Sequence, residues 1–115
     1  MTENTINISY INTHGQSGLD YNKQVQIESF IRTYKPDILH LQETNILEDT
    51  FSKCDVINSS YNIITNNATN KYGTSSLISN SFTVANLKLD TQGREIVFDI
   101  GNLTFSNVYL PSGNE

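Results

Sequence analysis

Two polar residues stand at the ends of apolar runs, where chemistry tends to be placed. Glu43 closes the run Asp37-Ile38-Leu39-His40-Leu41-Gln42-Glu43, and Asn12 follows the alternating stretch Thr5 to Ile11. In α/β folds ligands gather outside the carboxyl ends of strands. A carboxylate at such an end is a candidate metal ligand. Taken alone, a glutamate after a strand also reads as a side chain facing water, and Asn12 as an asparagine closing a turn through its own backbone. His14, in the Asn12-Thr13-His14-Gly15 loop, reads as an exposed loop histidine, and His40 lies inside a strand.

The elements that would position these residues follow from periodicity. Ile38, Leu39 and Leu41 form a run too short for a helix but suited to an interior strand, and Pro36 ends whatever helix precedes it. From Thr5 to Ile11, Ile6, Ile8 and Tyr10 share one face, as in a half-buried strand. Between the two runs Ile27, Phe30, Ile31 and Tyr34 make one apolar stripe, predicting a helix from about Asn22 to Lys35. Asp20 or Asn22 is placed to cap its start, while Arg32 and Lys35 suit the negative end of its dipole. Strand, helix and strand form a βαβ unit with parallel neighbours and a right-handed crossover. That topology puts Asn12 and Glu43 on the same edge of a sheet.

Downstream, Asn45 to Ser60 reads as a short helix and a loop, and Tyr61 to Thr65 as a strand. After a loop carrying Lys71 and Tyr72, Thr74 to Ser79 and Phe82 to Leu89 are further strands. Asp90-Thr91-Gln92-Gly93 and Gly101-Asn102 are turn signals. They bound a strand from Arg94 to Ile100 and its return from Leu103 to Leu110, an antiparallel meander. With only one well-marked helix, one face of the sheet looks short of cover.

Composition narrows the classes. The 115 residues suit one domain or a piece of one, and 37% apolar and 10% aromatic content suffices for a core. With 7 basic against 12 acidic residues the net charge is −5, which argues against a surface that neutralises many phosphates unaided. An acidic chain still acts on nucleic acid where divalent metal supplies the positive charge. The single cysteine, Cys54, excludes an internal disulfide and, in its polar stretch, reads as a bystander thiol. No run approaches membrane-spanning length. Met1 to Ile6 is polar with no signal-type apolar stretch after it, so a cytoplasmic or nuclear location is expected, and the acceptor patterns at Asn7, Asn58, Asn67 and Asn102 read as chance.

Three spaced segments then align with a family: Ile8-Ser9-Tyr10-Ile11-Asn12-Thr13-His14-Gly15, Asp37 to Thr44, and Asn107-Val108-Tyr109-Leu110-Pro111. In order and spacing they resemble the N-terminal half of an endonuclease/exonuclease/phosphatase domain, the DNase I-like fold. They are most similar to the endonuclease domain of non-LTR retrotransposons. Tyr72 to Ile78 and the Gly93-Arg94 hairpin fall where that family has a glycine-led strand and an Arg-bearing turn. The resemblance implies a partial DNase I-like α/β sandwich spanning residues 1–115, one βαβ unit followed by an antiparallel meander. It implies that Glu43 binds Mg²⁺ (or Mn²⁺), that Asn12 helps hold metal and scissile phosphate, and that Tyr109 contacts the phosphate. DNA is the implied partner. Ile11 and Ser112 depart mildly from the family pattern. The family's Gly-Asp-x-Asn segment and terminal Asp-His pair, which includes the usual general base, have no counterpart in these residues. The expectation is therefore a phosphodiesterase fragment, inactive in isolation, incompletely covered and prone to self-association. A phosphatase or lipid phosphodiesterase of the same superfamily, or a remnant that only packs or binds, are the alternatives.

Overall fold

The computed structural model describes residues 5–13, 19–44, 46, 50–67 and 73–110. Its elements run β1 (Ile8–Asn12), α1 (Tyr21–Tyr34), β2 (Ile38–Gln42), α2 (Asp55–Ser60), β3 (Tyr61–Asn66), β4 (Thr74–Ser79), β5 (Ala85–Leu89), β6 (Glu95–Ile100) and β7 (Leu103–Val108). The first four strands form one sheet in the order β1-β2-β4-β3, and the last three form a second, β5-β6-β7. Only β1 and β2 pair in parallel, as the crossover through α1 requires.

Helix α1 starts where its cap dictates. The Asp20 side chain accepts from the Lys23 N–H at 2.8 Å, and Lys35 closes the other end in left-handed geometry, φ 47°, just before Pro36. The apolar stripe of α1 drives it onto the sheet: Ile27 and Ile31 are buried against Leu39, Leu41 and Leu77. Tyr34, on the same stripe, is instead 66% exposed in the last turn of the helix, with its ring tilted against that of Phe30. Phe51, Cys54 and Ile57 fill the rest of this layer. Cys54, in a polar stretch of sequence, is thus a core residue, and burial, with Glu28 and Asp55 nearby, pushes its thiol pKa up.

The opposite face of the first sheet is not bare. The meander folds over as a second layer, β6 on β3 and β4, and β7 on β2 and β4. Ile38 and Ile78 meet Ile96 and Phe98 in a second core cluster, flanked by Ile64, Ile100 and Phe105. The strand alternation sorts β2 between the layers, Leu39 and Leu41 toward the helices and Ile38 and His40 toward the second sheet. Periodicity had suggested a face short of cover because it counts only helices as covering elements.

Cover gives out only at the margins. Strand β1 is an edge strand, so the Ile8 and Tyr10 face expected to be buried is 38% and 59% exposed at those residues. Leu87 and Leu89 on β5, the outer strand of the second sheet, are exposed as well. That strand is shorter than its apolar pattern, starting at Ala85 and broken by a register shift before Lys88, with Asn86 at φ 54°. Gly101 takes φ 60° at the hairpin between Ile100 and Leu103, a backbone state that glycine adopts without penalty. Among the described residues no helix is long and apolar enough to cross a membrane.

Candidate functional site

The site is built at the carboxyl ends of β1 and β2, with the end of β7 laid across them. Asn12 is the register partner of Gln42, one residue before Glu43. Thr13 extends the ladder by one bond, its N–H donating to the Gln42 carbonyl at 3.0 Å. Both strand ends therefore reach the same edge, and Asn12 is exposed there while Glu43 is 6% exposed.

Glu43 departs from the alternation of its strand. Leu39 and Leu41 face the helices, so an ideal strand would turn Glu43 the same way. Its backbone is instead left-handed, φ 56°, an uncommon state for a non-glycine residue. The carboxylate consequently lies on the side of the second sheet, where the Tyr109 hydroxyl donates to Glu43 Oε1 at 2.6 Å. That length is typical of a charge-assisted O–H···O⁻ bond.

Two amides fix β7 in place for this contact. Gln42 Nε2 donates to the Val108 carbonyl at 2.9 Å. Asn107, fully buried, donates through Nδ2 to the Ser75 carbonyl at 2.8 Å and the Leu41 carbonyl at 3.2 Å, with Ser76 Oγ at 3.3 Å. Asn107 and Tyr109 are two apart and so share the inward face of the strand. The Tyr109 N–H also donates to the Arg94 carbonyl at 2.7 Å, which sets the Gly93-Arg94 turn beside the site. Asn66 anchors that turn to the first sheet through bonds to Asp90 and the Glu95 carbonyl.

His40 contributes nothing to this edge. It is fully buried between the sheets, its Nδ1 2.8 Å from Ser76 Oγ and its ring against Tyr10 and Phe98. Burial pushes its pKa from 6.5 down to about 4. A neutral imidazole sealed in a core has no access to an attacking water. His14, Lys71, Tyr72 and Ser112 lie outside the described residues.

The donors at the edge are hard oxygens: the Glu43 carboxylate, the Asn12 carboxamide and the Tyr109 hydroxyl. Among the described residues no cluster of three or more His, Cys, Asp or Glu side chains forms. One carboxylate with neutral oxygens suits Mg²⁺, which keeps most of its water and takes one or two carboxylates together with phosphate oxygens. Beside Asn12, on the helix face of the sheet, a cleft of about 350 Å³ between β1 and α1 is lined by Thr13, Lys23, Gln26 and Phe30.

Sequence reasoning named Asn12, Glu43 and Tyr109 and missed the residues that hold them, Thr13, Gln42 and Asn107. The available signal was a polar side chain inside or beside an apolar run, at Gln42 and at Asn107. The left-handed turn at Glu43 left no signal, since glutamate has no preference for it.

No protein-family model and no curated protein matches the chain. Solved structures do. An AP endonuclease from Archaeoglobus fulgidus superposes with a TM-score of 0.69 at 19% identity, over 93% of this chain and 42% of that one. TDP2 from Caenorhabditis elegans gives 0.66 at 24% identity, over 93% and 35%. A 3'-5' exonuclease from Neisseria meningitidis gives 0.68 at 18%, over 90% and 41%. The fold is thus that of the DNase I-like α/β sandwich, and the chain spans less than half the length of these structures.

Proposed function

We propose that these 115 residues carry the metal- and phosphate-binding edge of a Mg²⁺-dependent phosphodiesterase acting on DNA. On this reading they correspond to the N-terminal half of an endonuclease/exonuclease/phosphatase domain of the non-LTR retrotransposon type. The observation that carries the reading is the placement of Glu43: buried, turned out of its strand's alternation, and met by Tyr109 at 2.6 Å beside the strand that ends in Asn12. A glutamate that merely faced water would need none of this. The order of the three sequence segments supports the retrotransposon branch, and a DNA-directed role implies the cytoplasm or nucleus.

In this reading Glu43 and Asn12 hold Mg²⁺, or Mn²⁺ in its place. The metal supplies charge neutralisation at a phosphate oxygen. Tyr109 orients the carboxylate through its hydroxyl and is within reach of a phosphate bound at the same edge. Lys23 lines the cleft that adjoins Asn12 on the helix face. His40 is buried, and the Asp-His pair that supplies the general base in the family these residues resemble has no counterpart in their sequence, so on this reading the 115 residues by themselves do not turn over.

Calorimetric titration tests the reading. Wild-type protein takes up Mg²⁺ or Mn²⁺ and Glu43→Gln does not; equal uptake by both refutes it. Metal-dependent retention of a DNA oligonucleotide, in preference to a phosphomonoester or an inositol phosphate, supports the nuclease branch. The reverse preference supports a phosphatase or lipid phosphodiesterase.

A further inference from the structure

The left-handed backbone at Glu43 needs something to hold it, since the state is unfavourable for any residue with a Cβ. The holding contact comes from the neighbouring strand. Thr13 is 8% exposed, and its Oγ1 lies 3.0 Å from the Gln42 carbonyl and 2.9 Å from the Glu43 carbonyl. The hydroxyl proton is thus shared between the two carbonyls that bracket the turned residue. On the other flank Thr44 is tied down separately, its N–H to the Gly73 carbonyl and its hydroxyl to Ser75 Oγ. The peptide of Glu43 is gripped at both ends, and from the strand that carries Asn12 the Thr13 hydroxyl reaches across to it.

We infer that Thr13 is a positioning residue: its hydroxyl holds Glu43 in the left-handed turn that delivers the carboxylate to Tyr109 and to the end of β1. A purely apolar residue would fill the same space between β1 and α1 and keep the ladder bond through its N–H. It would not bind the Glu43 carbonyl. The hydroxyl therefore acts on the direction of the carboxylate, while the packing of the strand is left to the rest of the side chain.

The test compares wild type, Thr13→Val, which keeps the shape and loses the hydroxyl, and Thr13→Ser, which restores the hydroxyl. Two readouts on the isotope-labelled chain separate this inference from the proposed function, on which its metal arm rests. In the first, NMR couplings and ring contacts report the Glu43 backbone angle and the proximity of Tyr109. Thr13→Val loses the left-handed state and the Tyr109 contact, and Thr13→Ser keeps both. In the second, Mn²⁺ broadening of the Glu43 signals gives an affinity. Loss of a group that orients a metal ligand weakens binding about 10–100-fold, so Thr13→Val falls by that factor and Thr13→Ser recovers most of it. A Thr13→Val protein with the wild-type Glu43 angle, or with wild-type Mn²⁺ affinity, overturns the inference. Absence of Mn²⁺ broadening at Glu43 in the wild type overturns the metal reading instead, and the backbone arm then decides the role of Thr13 by itself.

Discussion

Acid should destabilise this protein through His40, and the size of the effect reports whether the meander truly covers the first sheet. The imidazole is sealed between Phe98, Tyr10 and Ser76, and desolvation lowers its pKa from 6.5 to about 4. The folded state therefore binds fewer protons than the unfolded state between those two values. Stability is full above pH 6.5, declines as pH falls through the window, and levels off for this group near pH 4. The drop from 6.5 to about 4 amounts to about 3 kcal/mol in full, of which about 2 kcal/mol is lost by pH 5. Domains of this size hold only ~5–15 kcal/mol in total, so the loss is easily measured. The assay is urea unfolding at pH 7.5, 6.5, 5.5 and 5.0 for wild type and His40→Gln, which retains a hydrogen-bonding partner for Ser76 but does not titrate. Each protein is compared with its own value at pH 7.5, which removes any difference in baseline stability and in the carboxylates. Wild type should lose about 2 kcal/mol more than the variant by pH 5. Equal losses would mean that His40 titrates as in an open chain, and that the second sheet does not bury it.

Further predictions follow from the same packing. Asn107→Ala removes the buried amide that donates to the Ser75 and Leu41 carbonyls and should cost roughly 1–3 kcal/mol in a denaturant melt. Phe98→Ala, which empties the centre of the inter-sheet cluster, should cost about 3–5 kcal/mol by the same measurement. The purified chain should show no metal-dependent nicking of supercoiled DNA above a Glu43→Ala control, since a general base alone contributes typically ~10²–10⁴-fold. Unpaired strand edges and the exposed side chains of Ile8, Tyr10, Leu87 and Leu89 should drive concentration-dependent association in light scattering, reduced by Tyr10→Lys.

The parts of the fold legible in the sequence are those that local physics decides. The βαβ unit was readable because the spacing of Ile27 and Ile31, the cap at Asp20 and the stop at Pro36 act within a few residues of one another. The meander was readable because Gly93 and Gly101 sit where the turns require positive φ. Its destination was not, because packing Ile96 and Phe98 onto Ile38 and Ile78 is a long-range choice that no window contains. The same limit hid the burial of Cys54 and the exposure of Tyr10, both set by which layer or edge a residue ends on. At the site, the shared edge of Asn12 and Glu43 followed from strand polarity. Glu43's turn toward Tyr109 depends on a hydroxyl thirty positions away, on Thr13, which periodicity cannot register.

The most direct test of the central claim is anomalous scattering from a crystal of the chain soaked in Mn²⁺. The account predicts one strong peak in coordination contact with the Glu43 carboxylate and within reach of the Asn12 carboxamide, absent in Glu43→Gln crystals. Mn²⁺ bound elsewhere, with the Glu43–Tyr109 edge empty, would contradict it.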